Sequence, residues 1–161
     1  MRAASTNSRG PLATVLVLSI GLVLTCAANP NDIERLVLGN HVLTLQWLQT
    51  ENEKSIGKAK IYEKDGKIRI DGYQEEKYKG ELNYMSIQGT IKIINPKELE
   101  FEGKIVTKIS YINSGVPYER NGKFAFKATG TRKYWRMQDM DEPDGKDTAT
   151  DYIDIFFEKF R

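Results

Sequence analysis

From residue 41 onward apolar and polar residues alternate along the chain, so that the dominant period is two. Successive side chains of an extended strand point to opposite faces, and the pattern therefore predicts strands, not helices. In HVLTLQWL (41–48), Leu43, Leu45 and Trp47 share one face, with Thr44 and Gln46 on the other. In GKAKIYE (57–63), Ala59 and Ile61 point inward between Lys58 and Lys60. Lys64-Asp65-Gly66-Lys67 predicts a tight hairpin, because glycine accepts the positive φ of a two-residue turn. Its return strand carries Ile68 and Ile70 inward, and Gln74 to Gly80 reads as a polar interval. Met85, Ile87, Ile91 and Ile93 keep one parity around Gly89, as one long strand bent at the glycine or as two short ones.

Asn95-Pro96-Lys97 then turns the chain. Leu99, Phe101, Ile105 and Ile109 alternate with Glu98, Glu100, Glu102, Lys104 and Lys108, giving one apolar and one charged face. Residues 113–117 read as a loop. Phe124 with Phe126, Trp135 with Met137, and Ile153, Ile155 and Phe157 mark three further strands. Residues 32–38 fit either one helical turn or a lead-in strand. With eight or nine strands, short connections and no long helical pattern, a parallel α/β fold is disfavoured. The expected class is all-β, an antiparallel up-and-down barrel of about eight strands, which hides both the apolar face and the sheet edges. A two-sheet β-sandwich is the alternative. The expected organisation is a signal peptide over 1–28, a lead-in segment over 29–40 and the barrel domain over 41–161.

Charge sharpens this division. The 161 residues hold 24 Lys and Arg against 22 Asp and Glu, a net +2, and residues 1–28 contribute Arg2 and Arg9 with no acid, so the remainder is balanced at 22 against 22. The apolar run Leu12 to Leu24 follows these arginines and precedes Thr25, Cys26, Ala27 and Ala28, the order of a secretory signal. Its 13 residues fall short of the roughly 20 that span a bilayer as a helix. Two processing routes stay open: conventional cleavage after the small residues, or cleavage before Cys26 and acylation of its thiol, for which Val23-Leu24-Thr25-Cys26 is a loose lipobox. The single cysteine excludes a disulfide framework. Periplasm, or outer membrane or cell surface as a lipoprotein, is the expected location.

Candidate chemistry is sparse. His41 is the one histidine, no Gly-x-Ser-x-Gly elbow is present, and one His without a mature Cys does not make a usual zinc site. An enzyme is not expected. The segment 139–151 gathers Asp139, Asp141, Asp144 and Asp147 with Glu142 and Asp151, an oxygen-rich set suited to calcium, but no register matches an EF-hand loop. Pro143, Asp144 and Gly145 also fit a plain acidic turn. Calcium is the one cofactor entertained. Arg132-Lys133-Tyr134-Trp135-Arg136 interleaves cations and rings, but strand alternation splits it between two faces, and a neutral exported domain has no field for nucleic acid. Trp135 is expected to plug the core and Arg136 to pair with Asp154 or Glu158. The inward parity collects Trp47, Phe101, Tyr111, Phe124, Phe126, Trp135 and Phe157. An eight-stranded barrel lined by them is either filled by its own side chains or holds one small apolar ligand or lipid.

The segments LTLQW (43–47), FEGKIVTKISYIN (101–113), GKFAFKATGTRKYWRMQ (122–138) and TDYIDIFF (150–157) resemble a group of uncharacterised exported bacterial proteins, often lipoproteins, with a β-barrel domain. The resemblance implies export and fold and carries no activity. A weaker likeness is to lipocalin-type barrels, in which a Trp of the first strand and an Arg near the last strands close one end; Trp47 with Arg132 or Arg136 would take those parts. The lipocalin Gly-x-Trp signature is absent, since Gly39 is followed by Asn40 and His41. The functional expectation is a non-enzymatic cell-envelope protein that binds a small apolar ligand or lipid. The alternative is a structural or protein-interaction domain, held to the membrane through acylated Cys26.

Overall fold

The computed structural model describes residues 30–48, 56–140 and 150–159; the leader with Cys26, and Asp141, Asp144 and Asp147 of the acidic segment, lie outside the described residues. The chain enters through a helix, α1 (Pro30–Val37), which settles the open reading of 32–38. Val37 is fully buried, and Ile33 and Leu36 pack on the core, so one face of α1 sits against the barrel. No helix among the described residues is long and apolar enough to cross a membrane.

Eight antiparallel strands follow: β1 (Gly39–Leu45), β2 (Gly57–Lys64), β3 (Lys67–Tyr78), β4 (Glu81–Asn95), β5 (Glu98–Lys108), β6 (Tyr118–Lys127), β7 (Tyr134–Met137) and β8 (Ile153–Lys159). Each pairs with the next, and β8 returns to β1, closing an up-and-down barrel. The sandwich alternative is thereby excluded. Closure follows from the pattern, since an antiparallel sheet with one apolar face has no unpaired edge once its first and last strands join.

The Asp-Gly hairpin forms as expected. Asp65 and Gly66 have φ of 54° and 68°, and Lys64 pairs with Lys67 across them. Residues 74–78 are not a loop but the end of β3, in register with Glu81 to Met85 of β4. Residues 81–95 form one strand, which runs unbroken through Gly89. There Gly89 pairs with Gly103 of β5. A Cβ on Gly103 would lie 2.3 Å from the Gln88 carbonyl oxygen and 2.9 Å from the Phe101 ring, so the two strands approach as only glycine permits.

The barrel is uneven around its circumference. β3, β4 and β5 are long, whereas β7 has four residues and pairs with β6 only through Phe126↔Met137 and Lys127↔Arg136. Side chains reinforce this thin wall. The Trp135 indole N–H donates to the Pro96 carbonyl at 3.1 Å, and Arg136 makes two 2.7 Å bonds to the Asp154 carboxylate on β8.

Candidate functional site

Alternation sends the residues of one parity inward, and the largest of them are sealed from solvent. Trp135, Phe101, Phe126, Leu43, Met85 and Ile105 are each less than 2% exposed. A void that admitted even one water would leave accessible area on its walls, so these side chains touch protein on all sides. Phe101 stacks on Phe124 at 6.1 Å between ring centres and meets Phe126 edge-on at 6.2 Å. Half-buried Phe157 lies 4.4 Å from Trp135. Five of the seven rings assigned to the inner face therefore form two packed groups. Of the other two, Trp47 lies beyond the end of β1 and packs half-buried against the core, whereas Tyr111 is 54% exposed outside the barrel, edge-on to Tyr78. Tyr111 falls in the turn after β5, where strand alternation no longer fixes the direction of a side chain.

Polar residues occupy both ends of this interior. At the end capped by α1, His41 is fully buried, with Nε2 2.7 Å from the Val37 carbonyl and Nδ1 2.7 Å from the Phe156 carbonyl. The ring thus bridges the end of α1 to β8, and both of its nitrogens are occupied by backbone. Burial holds its pKa below the ordinary 6.5, against the pull of the two carbonyls and with help from the Lys159 ammonium. Lys159 also donates to the Arg35 and Leu38 carbonyls, so two side chains from the barrel satisfy carbonyls at the helix end, where the macrodipole favours cations. An imidazole committed in this way is not a free general base, and the histidine has a structural position.

At the opposite end, Arg120 and Asp151 face each other inside the barrel. Arg120 Nη2 donates to Asp151 Oδ2 at 2.7 Å, and the Trp47 indole N–H donates to Oδ1 at 2.8 Å. The guanidinium lies over the Tyr118 ring at 4.7 Å. A cleft of about 10 Å³, room for about one water, adjoins them between Thr107, Ile109, Val116 and Tyr118. The arginine that shares a carboxylate with Trp47 is therefore Arg120, not Arg132 or Arg136. Arg132 is exposed and lies over the Tyr134 ring, and Arg136 points outward to Asp154. Parity is the reason, since Arg132 and Arg136 alternate with buried Trp135 and Met137. The same parity could have found Arg120, which is in phase with Phe124 and Phe126. Gln74 and Asn83 are likewise buried at inward positions, where Gln74 accepts from the Leu45 N–H at 2.7 Å and Asn83 from the Ser110 N–H at 2.8 Å.

Of the acids considered for calcium, Asp139 is exposed, and Asp151 is committed to Arg120 and Trp47. Among the described residues no group of three or more metal-ligating side chains converges. The outer face is a ladder of opposite charges across neighbouring strands, with Lys127 to Glu98 at 2.9 Å, Lys123 to Glu102 at 3.5 Å, and Lys104 paired with Glu119. On β3 and β4 an aromatic step, Tyr73 on Tyr84, borders a shallow hollow of about 370 Å³ lined by Asp71, Ser86 and Gln88.

The model of the PM1083 family matches residues 25–157. An uncharacterised protein of that name from Pasteurella multocida (strain Pm70) is 39% identical over 127 residues, which cover 79% of this chain and 77% of the relative. No solved structure matches the chain.

Proposed function

The chain belongs to the PM1083 family, and from the packing of its barrel we propose that it is a non-enzymatic interaction domain of the cell envelope, displayed at a membrane by its N-terminal segment. One observation carries this reading: the rings that would line a ligand pocket, Phe101, Phe126 and Trp135, are at most 1% exposed and fill the space themselves. A lipid or other apolar ligand inside the barrel would require them to swing out, at the cost of the contacts that hold the β6–β7–β8 wall. Recognition then falls to the outer strands and to the barrel ends. The apolar run 12–24 and Cys26 support display outside the cytoplasm, by acylation or by passage through export.

Metabolic labelling with a fatty acid, comparing wild type with Cys26→Ser, tests the anchor. The expected result is label in the wild type and none in the variant. Native mass spectrometry of protein from its own host tests the filled interior, for which the expected mass is that of the chain and its acyl groups alone. Stoichiometric recovery of a further apolar molecule would overturn the reading in favour of an internal ligand.

A further inference from the structure

We propose that the end of the barrel capped by α1 docks on an anionic phospholipid surface, with a basic lobe built from the β4–β5 turn and the β6–β7 loop as its point of contact. This inference rests on the reading that the N-terminal segment displays the domain at a membrane. Connectivity selects the end. In an up-and-down barrel the start of β1, the β2–β3, β4–β5 and β6–β7 connections and the finish of β8 all lie at one end, and α1 enters there. Cys26 precedes Pro30 by four residues, which reach no more than about 14 Å even when fully extended. An acylated Cys26 would therefore hold this end, not the Arg120 end, close to the lipid headgroups.

The lobe has the composition such a surface selects. Residues 89–97 and 128–138 carry Lys92, Lys97, Arg132, Lys133 and Arg136 and not one acid. Arg136 is committed to Asp154, and the other four are exposed. The two segments are tied into one body, because the Ala128 N–H donates to the Lys97 carbonyl at 2.8 Å and the Lys97 ammonium to the Gly130 carbonyl at 3.3 Å. The Trp135 indole adds its bond to Pro96. At the tip, the ladder shifts register between Ile93 and Asn95, and Ile94 stands 47% exposed. A bulge that turns an apolar side chain out beside four cations suits a headgroup layer, where the cations meet phosphates and the aliphatic group enters the acyl boundary. Each basic residue near an anionic leaflet strengthens association by roughly fivefold. The acids at this end belong to α1 (Asp32, Glu34), to the β2–β3 hairpin (Glu63, Asp65), to Glu158 and to the start of β5, where Glu98 is paired with Lys127 at 2.9 Å and Glu100 lies opposite Lys92 in the ladder.

Hydrogen exchange tests the proposal on the full chain, bound to vesicles of phosphatidylcholine alone or of phosphatidylcholine mixed with phosphatidylglycerol. Amides of 93–97 and 129–133 are expected to exchange more slowly only on the mixed vesicles, with the slowing lost in high salt, in Arg132→Glu/Lys133→Glu and, independently, in Ile94→Asp. Both variants change exposed side chains, and unaltered exchange of the β3–β5 core reports that each is folded. Equal exchange of the lobe on the two lipids, in chain that is vesicle-bound, overturns the docking while leaving membrane display intact. A chain that binds neither vesicle overturns both.

Discussion

Arg120 of β6 and Asp151 ahead of β8 form an ion pair inside one end of the barrel, Nη2 to Oδ2 at 2.7 Å, with side chains only 7% and 3% exposed. Removing two charges from water costs several kcal/mol each, and short contacts with well-placed further donors are needed to offset it. Here the Trp47 N–H takes the second carboxylate oxygen and the Tyr118 ring lies under the guanidinium. The pair also joins β6 to the residue that leads into β8, across the short β7.

Breaking this pair from one side is expected to cost about 3–5 kcal/mol, because the remaining charge stays buried. Asp151→Asn and Arg120→Met should therefore each lower stability strongly, while the double variant loses much less than their sum. A double-mutant cycle in urea measures this. Additive single effects would mean that the two groups are not coupled.

Burial lowers the His41 pKa from 6.5, so the unfolded chain takes up this proton first as pH falls. The stabilisation is fully present above pH 6.5 and is lost as pH drops from there through the folded-state value. Asp71, held below its usual 3.8 first by the Tyr62 hydroxyl and then by the Gln88 amide, adds its own loss only below pH 3.8. Thermal melts of wild type and His41→Gln should diverge in slope just under pH 6.5. Parallel curves in that window would remove His41 as the cause.

Gly103→Ala should destabilise by about 1–3 kcal/mol, since a Cβ 2.3 Å from the Gln88 carbonyl must push β4 and β5 apart. Gly66→Ala meets nothing within 4 Å and should cost only its positive φ, about 1 kcal/mol. Denaturant midpoints that rank the two the other way would show that the glycine pair can open without strain.

Arg136→Lys should lose about 1.5–3 kcal/mol despite keeping its charge, because an ammonium cannot reproduce two parallel bonds to Asp154. The guanidinium is also stacked on Tyr152 at 4.1 Å. Unfolding of the variant at the wild-type denaturant midpoint would show that the fork contributes nothing.

The sequence by itself determined most of the strands, the Asp65-Gly66 hairpin, the all-β class and most of the core, because each rests on local chemistry: a period of two, a turn that needs glycine, a proline stop. It also placed Trp135 inside and set Arg136 against Asp154 or Glu158, both consequences of alternation, and the structure chose Asp154. Only the tertiary structure decided what polar residues do at inward positions. His41, Gln74, Asn83, Arg120 and Asp151 look like breaks in an apolar pattern, and each is buried because a partner distant in the chain satisfies it: Phe156 for His41, Leu45 for Gln74, Ser110 for Asn83, Asp151 for Arg120. Polarity along a strand reports the cost of burial, whereas barrel closure brings together the groups that offset it. For the same reason the pairing of Trp47 with Asp151 rather than with a cation of β7, and the joining of two acid-free turns into one lobe, were fixed by the register of eight strands and not by any single segment.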